Sequence, residues 1–92
     1  MQIFWTISAK NDLESMFEYI TQENLPATYK IYEEIQSKIE ILSDFPYAGK
    51  IGRIHNTREL VFSELSYTAI YRLHKGNIQI LRLFHGAQHY SP

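Results

Sequence analysis

The side chains able to do chemistry gather in the second half of this chain. Residues 45–92 hold Lys50, Arg53, Arg58, Arg72, Lys75 and Arg82 against Glu59 and Glu64, a balance of +4. Residues 1–44 hold Lys10, Lys30 and Lys38 against eight acids, a balance of −5. All four histidines, His55, His74, His85 and His89, fall on the basic side. Arginine grips a phosphate through two parallel N–H bonds, and imidazole exchanges protons near neutrality. Arg58, Arg72 and Arg82 are therefore candidates for holding an anion, and His85 and His89 for general acid or base work. Lys50, Arg53 and His55 make the stretch PYAGKIGRIHN locally basic. With Arg58 and Arg72 they form the candidate surface for a nucleic acid or a protein target. Against this, an arginine in a sheet often completes a surface ion pair, and Glu59 or Glu64 would serve Arg58. His74, in a turn, reads as simply exposed.

Metal chemistry has little support. The chain has no cysteine. His85 and His89 are separated by Gly-Ala-Gln, which is not helical, and no HExxH motif or carboxylate set accompanies them. Neither a metal nor another cofactor is expected. Seven tyrosines are present. Tyr67 and Tyr71 share one side of a strand, the default for core packing, whereas Tyr47 and Tyr90 are better placed for exposed contacts.

These residues need a scaffold, and the hydrophobic pattern supplies one. Residues 2–7, rich in aromatic and β-branched side chains, read as a strand. Ala9, Leu13, Met16, Phe17 and Ile20 recur at helical spacing, which predicts a first helix over 9–22 with Ser8 as its N-cap. Pro26 suits the first turn of a second helix over 27–43, whose inner stripe is Ile31, Ile35, Ile39 and Leu42. Pro46 ends it by forcing Phe45 to be extended. Residues 46–56 then form a loop, followed by strands over 58–65, 67–73 and 77–85. A turn at Gly76 joins the last two strands. The expected fold class is α+β, in the order β-α-α-β-β-β. Two antiparallel helices pack on one face of a four-stranded, mainly antiparallel sheet, and the opposite face stays free for a partner.

A chain of 92 residues suits a single domain spanning 1–92, burying roughly 60–65% of the surface its unfolded form exposes. The start of the chain lacks the basic, long apolar pattern of a secretory signal, and no stretch reaches about 18 apolar residues. With the missing cysteine, these features give the expectation of a cytoplasmic protein.

The segments FPYAGKIGR, NTREL, YTAIYRL and IQILRLFHGAQHY, preceded by A-x-x-D-L at 9–13, resemble in type and order the RelE/ParE toxin superfamily of bacterial type II toxin–antitoxin systems. That resemblance covers nearly the whole chain. It implies a growth-arresting toxin encoded beside a cognate antitoxin, which blocks it and through which alone the pair binds operator DNA. RelE-like members cut messenger RNA in the ribosomal A site without a metal, whereas ParE-like members poison DNA gyrase. FPxxGxxGR, TREL and HGAQ look closer to the ParE side. Thr68 stands where the RelE-like pattern has a catalytic arginine, Gln88 falls near a second, and residues 61–63 carry no lysine of the basic pair. His89 and Tyr90 match a histidine and tyrosine used near the C-terminus by several members. As a ribonuclease the chain would rely on Arg82, His85, His89 and Tyr90. The favoured expectation is gyrase inhibition. The alternatives are a ribosome-dependent endoribonuclease and a non-toxic nucleic-acid or protein-binding module.

Overall fold

The computed structural model describes residues 1–23 and 25–85. Its elements in order are β1 (Ile3–Trp5), α1 (Ile7–Glu23), α2 (Leu25–Glu40), a 3₁₀ turn (Ile41–Ser43), β2 (Lys50–Ile51), β3 (Arg58–Phe62), a second 3₁₀ turn (Ser63–Leu65), β4 (Tyr67–His74) and β5 (Asn77–His85). One sheet runs β1-β5-β4-β3-β2. The first strand lies parallel to the last, with Ile3 opposite Ile78, and every other pairing is antiparallel.

The sheet has five strands where the sequence predicts four. The additional one, Lys50–Ile51, lies inside the segment read as a loop and pairs with Glu59 and Arg58. Gly52 N–H donates to Thr57 O at 2.8 Å, closing the turn that brings this short strand back onto β3.

The helices follow their apolar stripes. Ala9 and Met16 of α1 and Ile35 and Ile39 of α2 are buried, and Leu42 in the following turn joins them. They meet Leu60, Phe62, Ala69, Tyr71, Ile78, Ile80 and Leu83, all from one side of the sheet. Contacts between Thr21 and Thr28 and between the rings of Phe17 and Tyr32 show the helices running antiparallel. The first helix begins earlier than expected, so Thr6 and not Ser8 caps it. Thr6 Oγ1 accepts from Ala9 N–H at 3.0 Å while donating to Leu81 O at 2.9 Å, tying the helix start to the sheet.

Two details fix the sheet near the site. Lys75 and Gly76 both take positive φ (52° and 77°), the geometry of a two-residue hairpin turn that matches strand twist. The register between β4 and β5 slips between Ile70 and Tyr71, which face Arg82 and Ile80 respectively, so Leu81 is the extra residue of a bulge.

Candidate functional site

The candidate residues fall into three separate places. Alternation along β3 puts Leu60 and Phe62 against the helices and Glu59 and Val61 on the outer face, where Thr68 and Phe84 are their lateral neighbours. Lys50 shares that face through its pairing with Glu59. Lys50, Arg53, Glu59, Val61, Thr68 and Phe84, with Ile51, line an open recess of about 450 Å³. Arg53 lies across it. Its backbone N–H and its Nε both donate to Glu59 Oε2, at 3.1 and 3.3 Å, and its guanidinium sits 6.0 Å from the centre of the Phe84 ring. The Glu59 side chain is buried, while that of Arg53 is 67% exposed. Burial pushes the Glu59 carboxyl up, but the bonds and charge of Arg53, helped by Lys50, outweigh it and hold the group below its usual value. The recess therefore contains a buried carboxylate and two outward cations. Arg72 is on β4 beyond Ile70 and donates through Nε to Gln79 Oε1 at 2.8 Å.

Arg58 is not with these residues. Adjacent residues of a strand point to opposite faces, so Arg58 cannot reach Glu59 as the sequence reading supposed. It turns to the helix side and under residues 45–49. There its Nη1 donates to Gly49 O at 2.8 Å and Tyr47 O at 3.3 Å, and its guanidinium lies 4.8 Å from the centre of the Tyr47 ring. The carboxylate that Arg58 was expected to pair with is taken by Arg53.

The third place is a groove of about 400 Å³ between α1 and the ends of β4 and β5, lined by Asp12, Ser15, Met16, Tyr19, Tyr67, Arg82, Leu83 and His85. Asp12 governs it. Its Oδ2 accepts from Arg82 Nε at 2.7 Å and from Leu83 N–H at 2.9 Å, and its Oδ1 accepts from Arg82 Nη2 at 3.1 Å. Arg82 is thus clamped as a fork on a carboxylate from α1. The His85 ring meets Tyr67 edge-on at 5.2 Å between centroids. Burial, with a smaller contribution from Tyr19, raises the Tyr67 phenol above its usual value, so it is a neutral hydrogen-bonding group at ordinary pH. Asp12 was missed in the sequence because its partner is 70 residues away; its helical register beside Met16 and Leu13 was the available signal. His55 is exposed in the turn before β3. Gln88, His89 and Tyr90 lie outside the described residues. Among the described residues no group of histidine and acidic side chains could hold a metal ion, and no helix is long and apolar enough to cross a membrane.

Comparison with known proteins gives this arrangement its context. Residues 3–90 match the model of the family described as "ParE toxin of type II toxin-antitoxin system, parDE". The chain belongs to the ParE toxin family. It is the toxin component of a type II toxin–antitoxin system. The ParE-family sequence is 31% identical over 87 residues to "Putative toxin Y4kP" of Sinorhizobium fredii (strain NBRC 101917 / NGR234), covering 95% of this chain and 90% of that protein. The ParE-family fold superposes on a chain of the "Chromosomal ParDE TA system from P. aeruginosa" with a TM-score of 0.81, at 24% identity and over 92% of this chain and 95% of that one.

Proposed function

We propose that this ParE-family toxin arrests growth by inhibiting DNA gyrase through protein contacts, and that a cognate antitoxin encoded beside it holds it inactive. The observation that carries this reading is that the arginines Arg53, Arg58 and Arg82 are each already engaged, in three different places. Cutting RNA requires a base for the 2′-hydroxyl, an acid for the leaving oxygen and cations around the phosphorane. Here Arg82 is engaged by Asp12, Arg58 by main-chain carbonyls under a loop, and Arg53 by Glu59 on the far face. Thr68, standing where a catalytic arginine would be expected, adds only a hydroxyl to the recess. Loss of one positioned donor costs about 10²–10³-fold in rate. A net charge of −1 also suits a protein target better than the ribosomal polyanion. Two observations favour ribosome-dependent cleavage instead: Lys50, Arg53 and Thr68 share an open recess, and Arg82 and His85 share the groove beside α1.

A paired assay tests the proposal. Purified toxin is added to gyrase, scoring supercoiling and trapped DNA breaks, and to ribosomes programmed with messenger RNA, scoring cleavage. Loss of supercoiling with intact message is the expected result. Cut message with untouched gyrase would overturn the proposal. Growth unaffected by high levels of folded toxin would move the chain to the non-toxic binding class.

A further inference from the structure

The recess on the outer face of the sheet holds donors that the fold itself does not use. Arg53 commits its backbone N–H and its Nε to Glu59 Oε2. Its Nη1 and Nη2 groups, at the end of a side chain that is 67% exposed, have no partner among the described residues. Lys50 Nζ and Thr68 Oγ1 line the same recess and likewise make no hydrogen bond or ion pair among the described residues. A guanidinium fork, an ammonium and a hydroxyl therefore border one hollow with their protons available.

The fork is aimed before anything binds. One buried carboxylate oxygen accepts from both the main chain and the side chain of Arg53, which fixes the residue at two points. The guanidinium also rests 6.0 Å from the centre of the Phe84 ring. Glu59 is itself an anion in the recess and would repel another, but its charge is held by Arg53 and Lys50. Two cations against one carboxylate leave the recess at +1. Arginine presents two parallel N–H bonds to a phosphate, lysine adds a point charge, and a hydroxyl can donate to a further oxygen. Because Arg53 is already ordered, little rotamer entropy is lost when it takes a ligand.

The size and charge of the site indicate what carries the phosphate. At about 450 Å³ the hollow falls in the range of small-molecule sites, roughly 300–1,000 Å³. Ile51, Val61 and Phe84 supply apolar surface for the rest of the ligand. A nucleic-acid strand calls instead for a row of cations, since its affinity rests on many phosphate contacts. Here Arg58 and Arg82 lie in other places, Arg72 is outside the recess on Gln79, and the whole chain carries −1. We infer that Lys50, Arg53 and Thr68 form a binding site for the terminal phosphate of a small molecule of nucleotide size, with Glu59 as the positioning residue for Arg53. This site is independent of whether gyrase is the toxin's target.

The test is a nuclear magnetic resonance titration of the ¹⁵N-labelled full-length toxin with four probes: inorganic phosphate, adenosine 5′-monophosphate, adenosine, and a short single-stranded oligonucleotide without a terminal phosphate. The two phosphate probes should move the amide signals of Lys50, Arg53 and Thr68 and the Arg53 Nε–H signal, and adenosine should not. Tighter binding of the monophosphate than of inorganic phosphate assigns the ligand as an ester, and equal binding assigns it as the free ion. Lys50→Ala and Arg53→Lys should each weaken monophosphate binding about fivefold or more, the second because it keeps the charge and loses the fork. Lys75→Ala, in the distant hairpin turn, should leave it unchanged. Amide spectra confirm that each variant is folded, and exposed Lys50 is the change least able to disturb the fold. Unmoved signals with both phosphate probes, equal shifts with adenosine, or unchanged affinity in folded Lys50→Ala and Arg53→Lys would overturn the inference. An oligonucleotide that binds more tightly than the monophosphate would overturn it too, by making the recess a strand-binding site.

Discussion

Replacing Tyr71 by Phe removes one oxygen and two hydrogen bonds while keeping the ring. The ring is wholly buried. The lost bonds are those to Gly49 N–H, which is buried, and to Pro46 O, which is partly so. Each bond contributes about 0.5–1.5 kcal/mol net, and a buried N–H left without an acceptor adds about 1–3 kcal/mol. Pro46 O has some access to water, so the expected loss is about 2–3 kcal/mol. For a domain of this size that corresponds to a fall in Tm of about 10–20 °C. Urea unfolding followed by far-UV circular dichroism gives the free energy, and calorimetry gives the Tm. Because the bonds anchor residues 46–49, hydrogen exchange at those amides should quicken beyond what the global loss explains. A Tyr71→Phe protein within 0.5 kcal/mol of wild type would refute the claim that the phenol holds the loop.

Gly49→Ala places a Cβ 2.6 Å from Tyr71 Cε1 and 2.9 Å from Glu59 O, so it should cost about 1–3 kcal/mol by overpacking, measurable by the same urea titration. Asp12→Ala removes the clamp on Arg82 and Leu83 and should lower stability by about 2 kcal/mol; if gyrase is the target, the folded variant inhibits it at a near-wild-type concentration. Acid should destabilise the protein through Glu59. Its folded pKa lies below the ordinary 4.5, so its contribution is intact above that value and disappears as pH falls through the folded pKa, and Glu59→Gln should flatten this slope in a series of unfolding curves. Alkali acts in the opposite sense: burial raises Tyr67 and Tyr71 above 10.0, so stability is full below pH 10 and falls above it, and Tyr67→Phe should reduce the alkaline slope.

Local pattern carried most of the fold. The stripes of α1 and α2 were legible because each buries a regular helical face, and the β4–β5 hairpin because Gly76 marks its turn. Strand β2 was not, since two residues flanked by glycines give no alternation to read; pairing with β3 makes it a strand. The cap of α1 was misread for a related reason. Thr6 and Ser8 are chemically alike, and the choice between them was made by Leu81, which accepts the Thr6 hydroxyl. In the site the residue types were visible but their grouping was not. Strand alternation already separated Arg58 from Glu59. The partner that did reach Glu59, Arg53, comes from across a turn, and the partner of Arg82 comes from the other end of the chain. Charge counts identify the cations and cannot reveal which are already engaged.

The parallel pairing of β1 with β5 also has a consequence in time. The bonds joining Gln2 to Asn77 and Thr6 to Leu81 each span 75 residues, and α1 rests chiefly on β5, the last described strand to be synthesised. During translation the helical hairpin emerges long before the strand that supports it. Contacts of such long sequence separation form late, since the entropy of closing the loop must be met before they stabilise anything. A nascent or truncated chain lacking residues 77–85 therefore lacks the strand on which α1 rests. The sheet that carries α1 is completed only once β5 has emerged.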